Sequence, residues 1–362
     1  MKITDIKAIP LRIPQMLKYE LSSGIQEASS DCVLVKVFTD DGIVGVGEAW
    51  RFTPDAISTF IEEALKPILV GQNPMQIERL WELMYRTTFR YGRKGTTLHC
   101  ISGIDTALWD IIGKYRNLPV YEMLGGACRD KLRAYASLPC YKRPEDAAAA
   151  AVHCVEEGYT AVKLHQTDIE SLKLTRREVG GDIVIMVDVN GPWSPRQAVE
   201  KAREMEAYNV LWLEEPVNPM DDYEGLAYVR EHSNIQIAAG ENEYTHYGFK
   251  EMIIKGAVDI FQPDVIKSGG LTACQKILAL AEAWNIQLIP HSFYFGPGVA
   301  ATLHFAISNM SSDYVEINAE PLEEFPTQPS LRPKNGFIEV PKGPGLGIEI
   351  DEAVVKKYPY SR

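Results

Sequence analysis

Three stretches decide the fold: IVIMVDVN (residues 183–190), LWLEEP (211–216) and IQIAAGEN (235–242). Each is a short apolar run with a carboxylate near its end: Asp188, Glu214 and Glu241. Runs of this length, separated by helical stretches, predict parallel strands buried on both faces. Five more such runs flank them, at 133–138, 160–165, 260–265, 287–292 and 314–319, making eight candidate strands. Seven of the eight carry a polar or ionisable residue near the C-terminal end: Lys163, Asp188, Glu214, Glu241, Asp264, His291 and Glu316. Consecutive members lie 23 to 27 residues apart, the length of one strand, one helix and two loops. Eight such units close an α/β barrel, and barrel enzymes place their chemistry at the strand C-termini. A single strand-end carboxylate is usually a solvent-facing residue. A whole series at the mouth of a packed barrel is costly unless it is used.

The chain of 362 residues is long enough for two domains. Its 46% hydrophobic and 24% charged content is that of a soluble globular protein. No apolar run reaches the roughly 18 residues of a membrane-spanning helix. The first residues alternate like a strand rather than a signal peptide. A net charge of −12, from 37 basic and 49 acidic residues, disfavours nucleic acid. It leaves room for a small anionic substrate at a local site. The six cysteines are scattered without a CxxC spacing. They read as reduced thiols in a cytoplasmic protein.

Residues 1–125 read as an α+β module. Strands are expected at 3–13 (cut by Pro10), 33–38 and 43–47, with Asp41-Gly42 as a hairpin turn. The polar, Ser-rich segment 15–30 reads as a mobile loop. Helices are expected at 54–69, 75–91 and 101–114, and Gly125-Gly126 suits a linker. The barrel would occupy 126–326. The tail, 327–362, is too short to fold alone and is expected to pack back on the first module.

The strand ends suggest a chemistry. Asp188, Glu214 and Glu241 offer three hard oxygen ligands, which suit Mg²⁺ better than zinc. Salt bridges to Lys or Arg are the bland alternative. Glu214 and Glu215 would point to opposite sides of one strand, so Glu214 is taken as the ligand and Glu215 as a structural partner of a cation or the backbone. Asp264 beside His291 would orient the imidazole and raise its basicity, making a general acid/base. Lys163 and His165, two apart on one strand, share a face. The Lys163 charge is expected to disfavour protonation of His165, leaving a neutral base; the alternative is a plain substrate contact. Glu316 has two readings, a protonated donor to an oxyanion or an ionised surface residue.

Taken in order with SGIDTALWDIIGK (102–114), QPDVIKSGG (262–270) and GPGLGIEI (343–350), these segments resemble the enolase superfamily, and within it the mandelate racemase subgroup. The likeness spans nearly the whole chain. It implies an N-terminal α+β capping domain on a modified (β/α)7β TIM barrel and one Mg²⁺ on Asp188, Glu214 and Glu241. It implies a Lys or His base with Mg²⁺ stabilising an ene-diolate, and a homo-oligomer. The muconate-lactonising branch has a lysine base close to where Asp264 stands here, so the pair with His291 favours the mandelate racemase branch. Many members of that branch have Lys-x-Lys at the second strand. Here the motif is Lys163-Leu164-His165, which makes the base His165 or a displaced Lys163. The implied activity is proton removal α to a carboxylate, with dehydration of a sugar acid to a 2-keto-3-deoxy acid as the first reading. Racemisation, epimerisation or lactone cycloisomerisation is the second, and a binding barrel without activity the third. Specificity would come from cap loops near 21–30 and from Trp50-Arg51-Phe52. Arg51 and Asn190 are candidate substrate contacts, and Trp193, Phe293 and Tyr294 candidate pocket walls.

Overall fold

The computed structural model describes residues 1–23 and 29–361. Strands β1 (Ile3–Pro14), β2 (Ser29–Thr39) and β3 (Val44–Ala49) form an antiparallel sheet in that order. Pro10 does not cut β1. It pairs with Val33 in an unbroken register, which an edge strand tolerates because its outer N–H positions need no ladder partner. The second strand starts at Ser29, four residues before its first apolar residue. Of the loop expected at 15–30, residues 15–23 are tied down. Met16 donates its N–H to Pro321 and Ser22 to Cys140. Residues 24–28, in the middle of the expected specificity loop, lie outside the described residues.

Helices α1 (Pro54–Phe60) and α2 (Lys66–Leu69), joined by a π-helical stretch at Ile61–Leu65, precede α3 (Ile77–Thr88), α4 (Thr96–Arg116) and α5 (Val120–Met123). Helix α4 is five residues longer at its start than the apolar pattern suggested. It is buried over most of its length, with Ile101, Ile104, Leu108 and Ile111 packed against Val33, Val35 and Val37 of β2. Each such side chain stabilises the fold by about 1.5–3 kcal/mol on burial.

Eight parallel strands follow, alternating with seven helices: β4 (Leu132–Ser137), α6 (Pro144–Glu156), β5 (Ala161–Leu164), α7 (Ile169–Val179), β6 (Val184–Asp188), α8 (Pro195–Met205), β7 (Val210–Glu214), α9 (Tyr223–His232), β8 (Gln236–Ala239), α10 (Thr245–Lys255), β9 (Ile260–Phe261), α11 (Gly270–Ala283), β10 (Gln287–Leu288), α12 (Pro297–Ile307) and β11 (Tyr314–Asn318). They form a curled (β/α)7β sheet in the order β10-β9-β8-β7-β6-β5-β4-β11. The ends meet through side chains: Ser311 Oγ accepts the Leu288 N–H at 2.7 Å, and Ser312 Oγ donates to the Leu288 carbonyl at 3.1 Å.

Alternation along the strands sends every second residue inward. Tyr135, Ala161, Met186, Trp212, Ala238, Ile260 and Ile289 form one buried inner cluster. Two residues further along β5, β6 and β7 stand Lys163, Asp188 and Glu214. The apolar layer is therefore the floor on which the charged residues sit. The tail joins the first sheet: Tyr360 donates its N–H to Pro10 and Leu346 donates to Asp110 of α4. No helix among the described residues is long and apolar enough to cross a membrane.

Candidate active site

Asp188, Glu214 and Glu241 converge at the mouth of the barrel. Each is buried, and each offers a carboxylate oxygen within 4.8 Å of the other two. Octahedral oxygens about 2.1 Å from a magnesium ion stand roughly 3–4 Å apart, so small side-chain movements bring this trio into reach. All three donors are hard oxygens, the set such a cation takes. Trp212 on the floor fixes Glu214 by an indole N–H bond of 3.1 Å. Lys163 supplies positive charge beside them. Its Nζ lies 3.4 Å from Asp188, 3.1 Å from Glu214 and 2.8 Å from Glu316.

Glu241, Asp264 and His291 were expected on strands. The regular strands end earlier, and these residues stand on the segments beyond, where Asp264 and His291 are joined by an isolated parallel bridge. His291 Nδ1 lies 2.6 Å from Asp264 Oδ2, and Nε2 lies 2.7 Å from Glu241. Burial works to lower the His291 pKa, but Glu241 and Glu316 outweigh it and hold the ring well above its ordinary value. Tyr294 is not a pocket wall. It is buried, with its hydroxyl on Thr302 and Asp264 at 2.9 and 3.3 Å.

His165 shares the site with Lys163, as the i, i+2 spacing required. Its Nδ1 meets the Leu138 carbonyl at 2.5 Å, and Nε2 lies 3.1 Å from Asp188. The expectation that Lys163 keeps this ring neutral needs correcting. Burial and Lys163 do lower its pKa, but the Asp188 charge and hydrogen bond overcome both and raise it. Glu316 fits neither of its two readings. It is buried, so it is not a surface residue. Burial alone would raise its pKa, but Lys163 and His291 bring it down to about 2, so it is ionised rather than a proton donor. Its second oxygen accepts the Ser292 N–H at 2.8 Å.

Glu215 lies just past β7 in the left-handed region, at φ 44°. Its carboxylate accepts from the Asn242 amide at 2.9 Å. Burial and Glu241 hold its pKa well above the ordinary value, against the nearby Lys267 charge, which favours its ionised form. Asn242 also donates to Glu241 at 2.7 Å and accepts from Lys267 at 2.7 Å. Lys267, fully enclosed, lies 4.4 Å from the Trp50 ring centre and 3.4 Å from Glu241. Sequence reading assigned no role to Lys267, Asn242 or Glu48. Lys267 stood inside a quoted motif, but nothing in its spacing separated it from a solvated lysine.

Of the candidate contacts, Arg51 is not solvent-facing. Its guanidinium lies among the Trp50, Phe52 and Phe293 rings, 5.3 Å from each. Its Nε is buried without a partner. The Phe293 ring also lies 5.6 Å from His165. Asn190 is exposed and donates its backbone N–H to Asp188 at 3.0 Å. Trp193 is half-buried against the barrel core.

Comparison with known proteins gives the family. Residues 13–125 match the mandelate racemase/muconate lactonizing enzyme N-terminal domain, and residues 146–354 match the enolase C-terminal domain-like family. The chain belongs to the enolase superfamily, in its mandelate racemase subgroup. It is 36% identical over 348 residues to an arabinonate dehydratase of Saccharolobus solfataricus, covering 92% of each chain. It is 32% identical to a D-galactarolactone cycloisomerase of Agrobacterium fabrum, covering 99% of each. The structure of a racemase from Streptomyces coelicolor with bound magnesium superposes with a TM-score of 0.89 at 26% identity, covering 99% of this chain and 100% of that one.

Proposed function

We propose that this protein removes the proton α to the carboxylate of a sugar acid and expels the β-hydroxyl as water, giving a 2-keto-3-deoxy acid. The observation that carries the reading is the placement of His165 and His291. They stand just past the second and seventh strands of the barrel, which flank in sheet order the strands that lead to the acidic trio. Magnesium held by Asp188, Glu214 and Glu241 would bind the substrate carboxylate and stabilise the charge that develops as the α-proton leaves.

The protein's own groups divide the remaining work. The Leu138 carbonyl holds the Nδ1 proton of His165. With the Asp188 charge that raises the ring's pKa drawn off by magnesium, Nε2, once unprotonated, would take the α-proton. Lys163, whose pKa the surrounding carboxylates hold well above the ordinary value despite its burial, stays charged and donates to an anionic substrate. His291, held by Asp264, carries a proton on Nε2 and delivers it to the leaving hydroxyl as the carbon–oxygen bond breaks. The enol that remains tautomerises to the ketone. Arg51, with an unpartnered Nε, supplies a contact for a distal hydroxyl or carboxylate.

A second reading has one observation in its favour: two histidines flank the trio, so a proton taken by one can be returned by the other with inversion. Incubation with a panel of sugar acids in deuterated water separates the two. Dehydration yields a keto acid that reacts with semicarbazide. Epimerisation or cycloisomerisation leaves deuterium at the α-carbon, or a ring-opened isomer, with no new carbonyl. Neither product nor label from any acid, with magnesium present, would leave a binding barrel and defeat the proposal.

A further inference from the structure

Helices α11 and α12 follow the strand ends that carry Asp264 and His291, and neither caps itself. Their N-cap residues are Gly269 and Gly296. By contrast, α7 and α9 are capped by their own Asp168 and Asp222, and α8 by the Ser194–Gln197 pair. The first turn of any helix leaves N–H groups without intrahelical partners, and an unmet buried donor costs about 1–3 kcal/mol. For α11 and α12 the acceptors come from the N-terminal cap. Ser102 Oγ takes the Gly269 N–H at 2.9 Å, and Asp105 Oδ2 takes the Thr272 N–H at 3.0 Å. Glu48 Oε2, from β3, takes the Gly298 N–H at 2.9 Å. All three side chains are buried.

The barrel is shaped to admit them. A Cβ at Gly270 would stand 2.2 Å from Asp105 Oδ2, and one at Gly296 would stand 2.5 Å from Glu48 Oε2. Trp81 adds an indole bond of 2.7 Å to the Gly269 carbonyl. The short turn from Asp264 to Gly269 is closed by the Asp264 N–H on Ser268 Oγ at 3.2 Å. A shift at the start of α11 therefore reaches Asp264.

We propose that Glu48, Ser102 and Asp105 are positioning residues through which the N-terminal cap sets the placement of the Asp264–His291 pair, while the strands of Asp188 and Glu214 are placed by the barrel alone. The site is then built in two halves, and only the half that carries Asp264 and His291 depends on the seating of the cap. This rests on the reading of His291 as a proton carrier, but the placement itself is measurable without substrate.

The test compares Glu48→Ala with Glu48→Gln by amide hydrogen exchange, magnesium calorimetry and steady-state kinetics. In Glu48→Ala, exchange in residues 290–300 rises at least about tenfold, while 184–190 and 211–216 exchange as in the wild type. Magnesium affinity stays within about twofold, and kcat falls about 10- to 100-fold with little change in KM, the scale of a misplaced catalytic group. Glu48→Gln, which keeps an acceptor oxygen, restores exchange and kcat. If Glu48→Ala does not fold, Ser102→Ala gives the same local signature at 264–272. An equal rise in both halves, no local rise, or a Gln variant as impaired as Ala overturns the proposal. If no acid is turned over, the proton-transfer reading fails, while exchange and calorimetry still decide the placement.

Discussion

His165 is the residue where this chain departs from the Lys-x-Lys pattern, and its surroundings say how an imidazole can do the work. The Leu138 carbonyl takes Nδ1, and Asp188 holds Nε2 at 3.1 Å. On the proposed function His165 is the base and acts in the transition state, so His165→Ala should lower kcat by at least about a hundredfold. Stopped or steady-state rates on the accepted acid measure this. A change confined to KM would instead mark the ring as a contact made equally in ground and transition states. Lys267 shows the limit of reading single residues. It pairs with Glu241, donates to the Asn242 amide oxygen and lies over the Trp50 ring. Those partners come from two segments far from each other in the chain, so no local pattern announces it.

At the scale of the elements, the periodicity carried most of the architecture. All eight barrel strands fall within their expected runs or within one residue of them, because a strand buried on both faces leaves an uninterrupted apolar signature. The ends were less legible. Gly240, Gln262 and Pro290 read as continuations of strands, yet regular pairing stops at Ala239, Phe261 and Leu288. The residues beyond are held by single backbone bonds, such as Gln262 N–H to the Ala239 carbonyl and His291 N–H to the Pro263 carbonyl, rather than by a continuous ladder. The trio and the Asp264–His291 pair were legible because charge is rare on such runs. The ionisation of Glu316 was not, since it depends on Lys163 from a strand 153 residues earlier in the chain. The caps of α11 and α12 were equally hidden: SGIDTALWDIIGK reads as a buried helix, and nothing local says that its Ser102 and Asp105 serve another element.

Across the whole molecule, the buried acids between cap and barrel make stability depend on pH. Burial, against the pull of the hydrogen bonds they accept, lifts both Glu48 and Asp105 to about 7, from ordinary values of 4.5 and 3.8. Folded values above unfolded ones mean that their contribution is fully present below about pH 4 and is lost as pH rises towards 7. Between pH 4 and 7 the wild-type melting temperature should therefore fall relative to that of Glu48→Gln or Asp105→Asn, with the gap constant at higher pH. A thermal scan across this range that shows parallel profiles would contradict it. On the proposed function, the acidic trio is the part on which the chemistry depends. Anomalous scattering from a crystal soaked in manganese tests it most directly. The account predicts one peak per chain, within bonding distance of Asp188, Glu214 and Glu241, with Lys163 still against Glu316. A peak elsewhere, or carboxylates that stay on Lys163 and His291 with no metal among them, would contradict it.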